Sequence, residues 1–123
     1  MGNTRRVLIA DDRLRSRQGL GALLTTQPGI EVVGQAGNGR EAICLIERNR
    51  PDAVVMDAKM PDLDGLEATR MIKRRWPQVR VVILTMYGSH EADALAAGAD
   101  AFLVKGCSAD DLLKAILDLE EEA

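Results

Sequence analysis

Four short apolar runs punctuate the chain: Val7-Leu8-Ile9-Ala10, Ala53-Val54-Val55-Met56, Val81-Val82-Ile83-Leu84 and Ala101-Phe102-Leu103-Val104. Most are rich in β-branched residues and none alternates with polar positions, the pattern of strands buried on both faces of a parallel sheet. A fifth run, Glu31-Val32-Val33-Gly34-Gln35-Ala36, mixes polar residues in and predicts an edge strand. Helical segments fill the gaps. Leu20, Leu23 and Leu24 mark the first, with a basic front half (Arg13, Arg15, Arg17) and Pro28-Gly29 as its stop. Ala42, Ile43 and Ile46 mark the second, behind Asn38 as N-cap. Leu66, Thr69, Ile72 and Trp76 give helical spacing to the third, capped by Asp64 and stopped by Pro77. The fourth, after Ser89, offers Leu95 as its only large apolar anchor, with Gly98 beyond its end. Ser108-Ala109-Asp110-Asp111 is a capping box ahead of Leu112, Leu113, Ile116 and Leu117.

The order is β-α five times over. Such alternation, with right-handed crossovers, predicts an α/β fold: a doubly wound parallel sheet with helices on both faces. The 123 residues are enough for one such domain and too few for two. Hydrophobic residues make up 46% and aromatics 2%, so the core must be aliphatic. A net charge of -3 gives no electrostatic footprint for nucleic acid on this chain. No apolar run approaches the roughly 20 residues of a membrane span, and the first is shorter than the apolar stretch of a signal peptide. Cys44 and Cys107 lack metal-ligand spacing, and the single histidine, His90, cannot complete a zinc site with them. A reducing cytoplasm is the simplest setting.

In open parallel sheets, ligands bind beyond the carboxyl ends of the strands. Asp11 and Asp12 follow the first run, Asp57 the second, Thr85 the third and Lys105 the fourth. Three acids, a hydroxyl and an ammonium therefore share one rim. Two carboxylates about 4 Å apart repel by something like 4 kcal/mol at an effective dielectric near 20. A divalent, oxygen-preferring cation relieves that repulsion, and Mg2+ suits a site of one or two carboxylates plus phosphate oxygens. Lys105 adds a second positive charge for a phosphoryl oxygen, and Thr85 can donate to another. An aspartate beside a metal-held phosphate is a competent nucleophile. Singly, each residue has an ordinary reading as a turn, a cap or a surface charge; together on one rim they point to phosphoryl transfer.

These positions, with the loop Asp57-Ala58-Lys59-Met60-Pro61-Asp62-Leu63-Asp64-Gly65, resemble the response-regulator receiver domain of two-component systems. The likeness spans nearly the whole chain. It implies a flavodoxin-like (βα)5 fold with strand order 2-1-3-4-5, a receiver order given as an example in general descriptions of this fold. It implies that Asp57 is the phosphoacceptor, that Asp11 and Asp12 handle Mg2+, and that the backbone carbonyl of Lys59 completes the metal site. Thr85 and Phe102 resemble the family's switch pair. The implied partner is a sensor histidine kinase, a homodimer is a further expectation, and the only chemistry implied is the chain's own phosphorylation and dephosphorylation. Gly106, where many receivers have Pro, together with Leu84-Thr85-Met86-Tyr87 and Ala97-Gly98-Ala99, is more similar to the subfamily ending in a LuxR-type helix-turn-helix. Residues 1–123 read as a single receiver domain, with DNA contacted only through an output domain outside this chain.

Two other classes compete with this one. Gly37-Asn38-Gly39-Arg40-Glu41-Ala42 fits the dinucleotide-binding fingerprint. It follows the most polar strand, however, and leaves Asp11, Asp12, Thr85 and Lys105 without roles; a tight turn and helix cap explain it with fewer assumptions. A haloacid-dehalogenase-like phosphohydrolase would carry Asp-x-Asp after its first strand, where this chain has an adjacent pair.

Overall fold

The computed structural model describes residues 4–117. Its elements are β1 (Arg5–Ala10), α1 (Leu14–Thr25), β2 (Ile30–Ala36), α2 (Gly39–Asn49), β3 (Ala53–Met56), α3 (Gly65–Arg75), β4 (Arg80–Thr85), a single 3-10 turn (Gly88–His90), α4 (Glu91–Ala96), β5 (Ala101–Val104) and α5 (Ala109–Leu117). The strands form one five-stranded sheet in the order β2-β1-β3-β4-β5. All four pairings are parallel, with a register irregularity against β2 between Val7 and Leu8.

Both faces of the sheet are apolar because alternate residues of one strand feed different cores. Leu8, Ala10, Val54, Met56, Val81 and Ile83 point into a cluster with Ile43, Ile46, Leu66 and Ile72 from α2 and α3. Val7, Ile9, Val55, Val82 and Leu84 point the other way, against Leu24, Leu112 and Ile116 from α1 and α5. The unbroken apolar runs are thus period-2 side chains with a partner on each side.

The caps follow the sequence. Asn38 accepts from Glu41 N–H at 2.8 Å, Asp64 from Glu67 N–H at 2.9 Å, and Ser108 from Asp111 N–H at 3.0 Å. Asn38 is therefore a helix cap, as the turn reading of the Gly37–Ala42 stretch requires. The carboxylate of Glu41 reaches back to Gly37 N–H at 2.7 Å, which closes a variant of the reciprocal box.

Three expectations change. β5 is not buried on both faces: it is a sheet edge with β4 as its only strand partner, and Val104 is 40% exposed. Leu95 does not anchor α4, being 52% exposed, because the helical phase turns Ala94 inward instead. Leu23 also lies partly in solvent, while Leu24 carries the packing of α1. On α5, Leu112 and Ile116 are buried and Leu113 and Leu117 are half-buried.

Candidate functional site

The rim beyond the strand ends is built by extending the sheet's own hydrogen-bond ladder. Asp11 N–H donates to Ala36 C=O at 3.0 Å, Asp57 N–H to Ala10 C=O at 3.0 Å, and Lys105 N–H to Thr85 C=O at 2.7 Å. Each chemical residue is thereby fixed in register with the neighbouring strand, so residues 94 positions apart meet within hydrogen-bond distance. Two glycines shape the surrounding loops. At Gly65 a methyl group would overlap the carbonyl oxygen of Asp57, so only glycine lets α3 start this close to the rim. Gly106 has φ +100, a value proline's ring forbids. That backbone accounts for glycine where many receivers carry proline.

Asp11 is 3% exposed, Asp57 7% and Thr85 1%, whereas the side chains of Asp12 and Lys59 face solvent. The ammonium of Lys105 lies between the two buried carboxylates, 2.7 Å from Asp11 Oδ2 and 3.0 Å from Asp57 Oδ2. Asp11 also accepts from Ser16 Oγ at 2.6 Å and from Arg13 N–H at 2.9 Å. Its burial works to raise its pKa. The bonds from Lys105, Ser16 and Arg13 N–H, with the charge of Lys105, outweigh that and hold the carboxyl below its ordinary 3.8. Burial likewise works to lower the pKa of Lys105. Its bonds to Asp11 and Asp57, and their charges, keep it above the usual 10.5. Asp57 Oδ1 accepts a long bond, 3.3 Å, from Lys59 N–H.

Asp11, Asp12 and Asp57 each offer an oxygen within 4.8 Å of the others. Of the three carboxylates, Asp11 and Asp57 are ion-paired to the one ammonium of Lys105. An all-oxygen, carboxylate donor set fits a hard divalent cation better than a transition metal. Asp12, Asp57, Lys59 and Thr85 line an open cleft of about 160 Å³ with Arg13, Met86 and Tyr87, large enough to admit a phosphoryl group. The structure therefore brings Asp11, Asp12, Asp57, Lys59, Thr85 and Lys105 together. Phe102 stands apart on β5, half-buried against the core cluster that the sheet forms with α2 and α3. Among the described residues Arg13 forms no ion pair with the acids it follows; its side chain lines the cleft.

The sequence reading missed Ser16 and Arg17. Arg17 donates to the carbonyl of Asp11 at 2.6 Å, and Ser16 joins Asp11 to Lys105. Helical spacing would have placed both on the first turn of α1 facing the acidic loop, but that turn has no apolar stripe to set its phase.

A family model described as the response regulator receiver domain matches residues 7–117. This chain belongs to that family. Among its relatives, the response regulator protein VraR of Staphylococcus aureus is 41% identical over 115 residues, 92% of this chain and 55% of VraR. A LuxR-family two-component response regulator from Aurantimonas sp. SI85-9A1 superposes with TM-score 0.88 at 34% identity, covering 95% of this chain and 85% of that one. A CheX–CheY–BeF3–Mg2+ complex from Borrelia burgdorferi contains a chain with TM-score 0.86 and 25% identity, covering 98% of this chain and 92% of that chain. The receiver spans about half the length of the curated relatives it matches. Among the described residues no helix is long and apolar enough to cross a membrane.

Proposed function

We propose that this receiver is a phosphorylation-activated switch in which Asp57 takes a phosphoryl group from a sensor histidine kinase. An oxygen of Asp57 forms the new bond to phosphorus as the bond to the donor's histidine nitrogen breaks, and the freed imidazole leaves with the kinase. The observation that carries this reading is the placement of the Lys105 ammonium 3.0 Å from Asp57 Oδ2, beside three mutually close carboxylates. Asp11, Asp12, Asp57 and the backbone carbonyl of Lys59 are the residues that would hold Mg2+. When bound, that ion supplies positive charge against the phosphoryl oxygens. Lys105 supplies the other cation, and the ladder bonds keep Asp57 from moving off the line of attack.

The signal follows from the same groups. An acyl phosphate brings about two negative charges to the rim. Thr85, buried at the end of β4, donates its hydroxyl to them, and Phe102 on the adjacent edge strand turns inward into the space behind it. The chain catalyses its own phosphorylation and the hydrolysis of its acyl phosphate, without turning over a separate substrate. Residues 1–123 act as one receiver domain, in the cytoplasm. DNA is reached through an output domain, consistent with LuxR-family relatives. The apolar stripe Leu112, Leu113, Ile116, Leu117 and Leu119 is broader than the sheet alone needs, and the half-buried Leu113 and Leu117 support contact with a second copy; Leu119 lies outside the described residues.

Acetyl phosphate with Mg2+ should add one phosphoryl mass to the wild type and none to Asp57→Ala, read by intact-protein mass spectrometry. Label on the variant, or none on the wild type, would overturn the assignment.

A further inference from the structure

Lys105 is held by more than the two aspartates. Its ammonium reaches three acceptors: Asp11 Oδ2 at 2.7 Å, Asp57 Oδ2 at 3.0 Å and Ser16 Oγ at 3.0 Å. Ser16 Oγ in turn donates to Asp11 Oδ2 at 2.6 Å. Ser16, Asp11 and Lys105 thus form a closed triangle of hydrogen bonds, with Asp57 outside it. Ser16 belongs to α1, a helix also tied to this loop by Arg17 on the Asp11 carbonyl.

We infer that Ser16 is a positioning residue that keeps the Lys105 ammonium aimed at the phosphoryl group throughout transfer. The inference rests on Asp57 being the phosphoacceptor. When Asp57 becomes an acyl phosphate, a mixed anhydride, its carboxylate charge is replaced by that of the phosphoryl oxygens, and the N–H that pointed at Asp57 Oδ2 must turn to one of them. Asp11 Oδ2 and Ser16 Oγ stay as its partners on the other side. Two fixed partners define the direction of the third bond, whereas one partner leaves the ammonium free to swivel about it. Ser16 therefore acts in the ground state and along the reaction path, and never touches phosphorus. Asp11 alone cannot do this, because it offers the ammonium a single atom, Oδ2, while its Oδ1 accepts from Arg13 N–H.

The test is a double-mutant cycle on phosphorylation by acetyl phosphate with saturating Mg2+, following the mass increment with time. Because Ser16 aims the lysine without touching the phosphoryl group, Ser16→Ala should slow labelling by about three- to tenfold, the worth of one ordinary hydrogen bond. Ser16→Thr, which keeps the hydroxyl, should recover to within about twofold of wild type. In a Lys105→Met background, whose residual rate is slow, adding Ser16→Ala should change nothing further. The Mg2+ concentration giving half-maximal rate should not move, since Ser16 is not a ligand. A wild type that takes no label removes the phosphoacceptor reading and this role with it. A wild type that labels while Ser16→Ala labels equally fast removes the role of Ser16 alone. An equal loss in the Lys105→Met background would likewise overturn it, because the serine would then act through packing and not through the lysine.

Discussion

At the scale of single residues, the rim depends on one close approach. Gly65 N–H donates to Ala58 C=O at 2.8 Å, and Thr69 Oγ returns to Gly65 C=O at 2.7 Å, which pins the start of α3 against the loop after β3. Gly65→Ala should therefore destabilise the fold by about 2 kcal/mol or more, since the added methyl must displace buried backbone and not a side chain. Urea melts would show it. A variant within about 0.5 kcal/mol of wild type would mean the loop relaxes freely. The glycine was visible in the sequence as part of a family-like loop; its reason, the carbonyl of Asp57, was not. Ser16 was invisible for a related cause. Its partner Lys105 lies 89 residues away, and nothing in the spacing of either residue announces the other.

Among the elements, α4 is the thinnest. It spans Glu91–Ala96 and places Ala94 as its buried residue, with Leu95 in solvent. Leu95→Ala should cost under about 0.5 kcal/mol, and Leu24→Ala on α1 about 2–5 kcal/mol, in the same denaturation assay. A large loss at Leu95 would contradict the orientation of the helix. A helix anchored by alanine opens at low free energy, which is why a switch at Thr85 would move α4 before its neighbours. Strand order aside, the sequence disclosed nearly every element here: β1, β3 and β4 by unbroken apolar runs, α2, α3 and α5 by caps. β5 was misjudged because an apolar run states what could be buried, not whether a second strand arrives to cover it. Leu95 was misjudged because six residues of helix are too few to fix a phase.

For the whole molecule, the Asp11–Lys105 contact ties stability to pH at both extremes. In metal-free protein, Asp11 is held below its ordinary 3.8, so its contribution is present above that value and drains away as pH falls through the lower folded one. Lys105 is held above 10.5, so its contribution is complete below that value and is lost as pH rises through the raised one. Urea midpoints in a chelator should accordingly decline below about pH 4 and above about pH 10.5. Asp11→Asn should flatten the acid limb, and Lys105→Met the alkaline one. Unchanged limbs in those variants would show that other charges govern both ends.

The placement of the aromatic side chains gives the receiver two separate optical reporters. Trp76, the single tryptophan, ends α3 at the foot of the sheet, buried and covered by the Arg75 guanidinium 4.3 Å above its ring. Tyr87, the single tyrosine, lines the cleft at the opposite end. Indole emission should therefore report chiefly on the core, and phenol emission chiefly on occupancy of the cleft. Native fluorescence alone can thus separate a ligation event from unfolding, with no label attached.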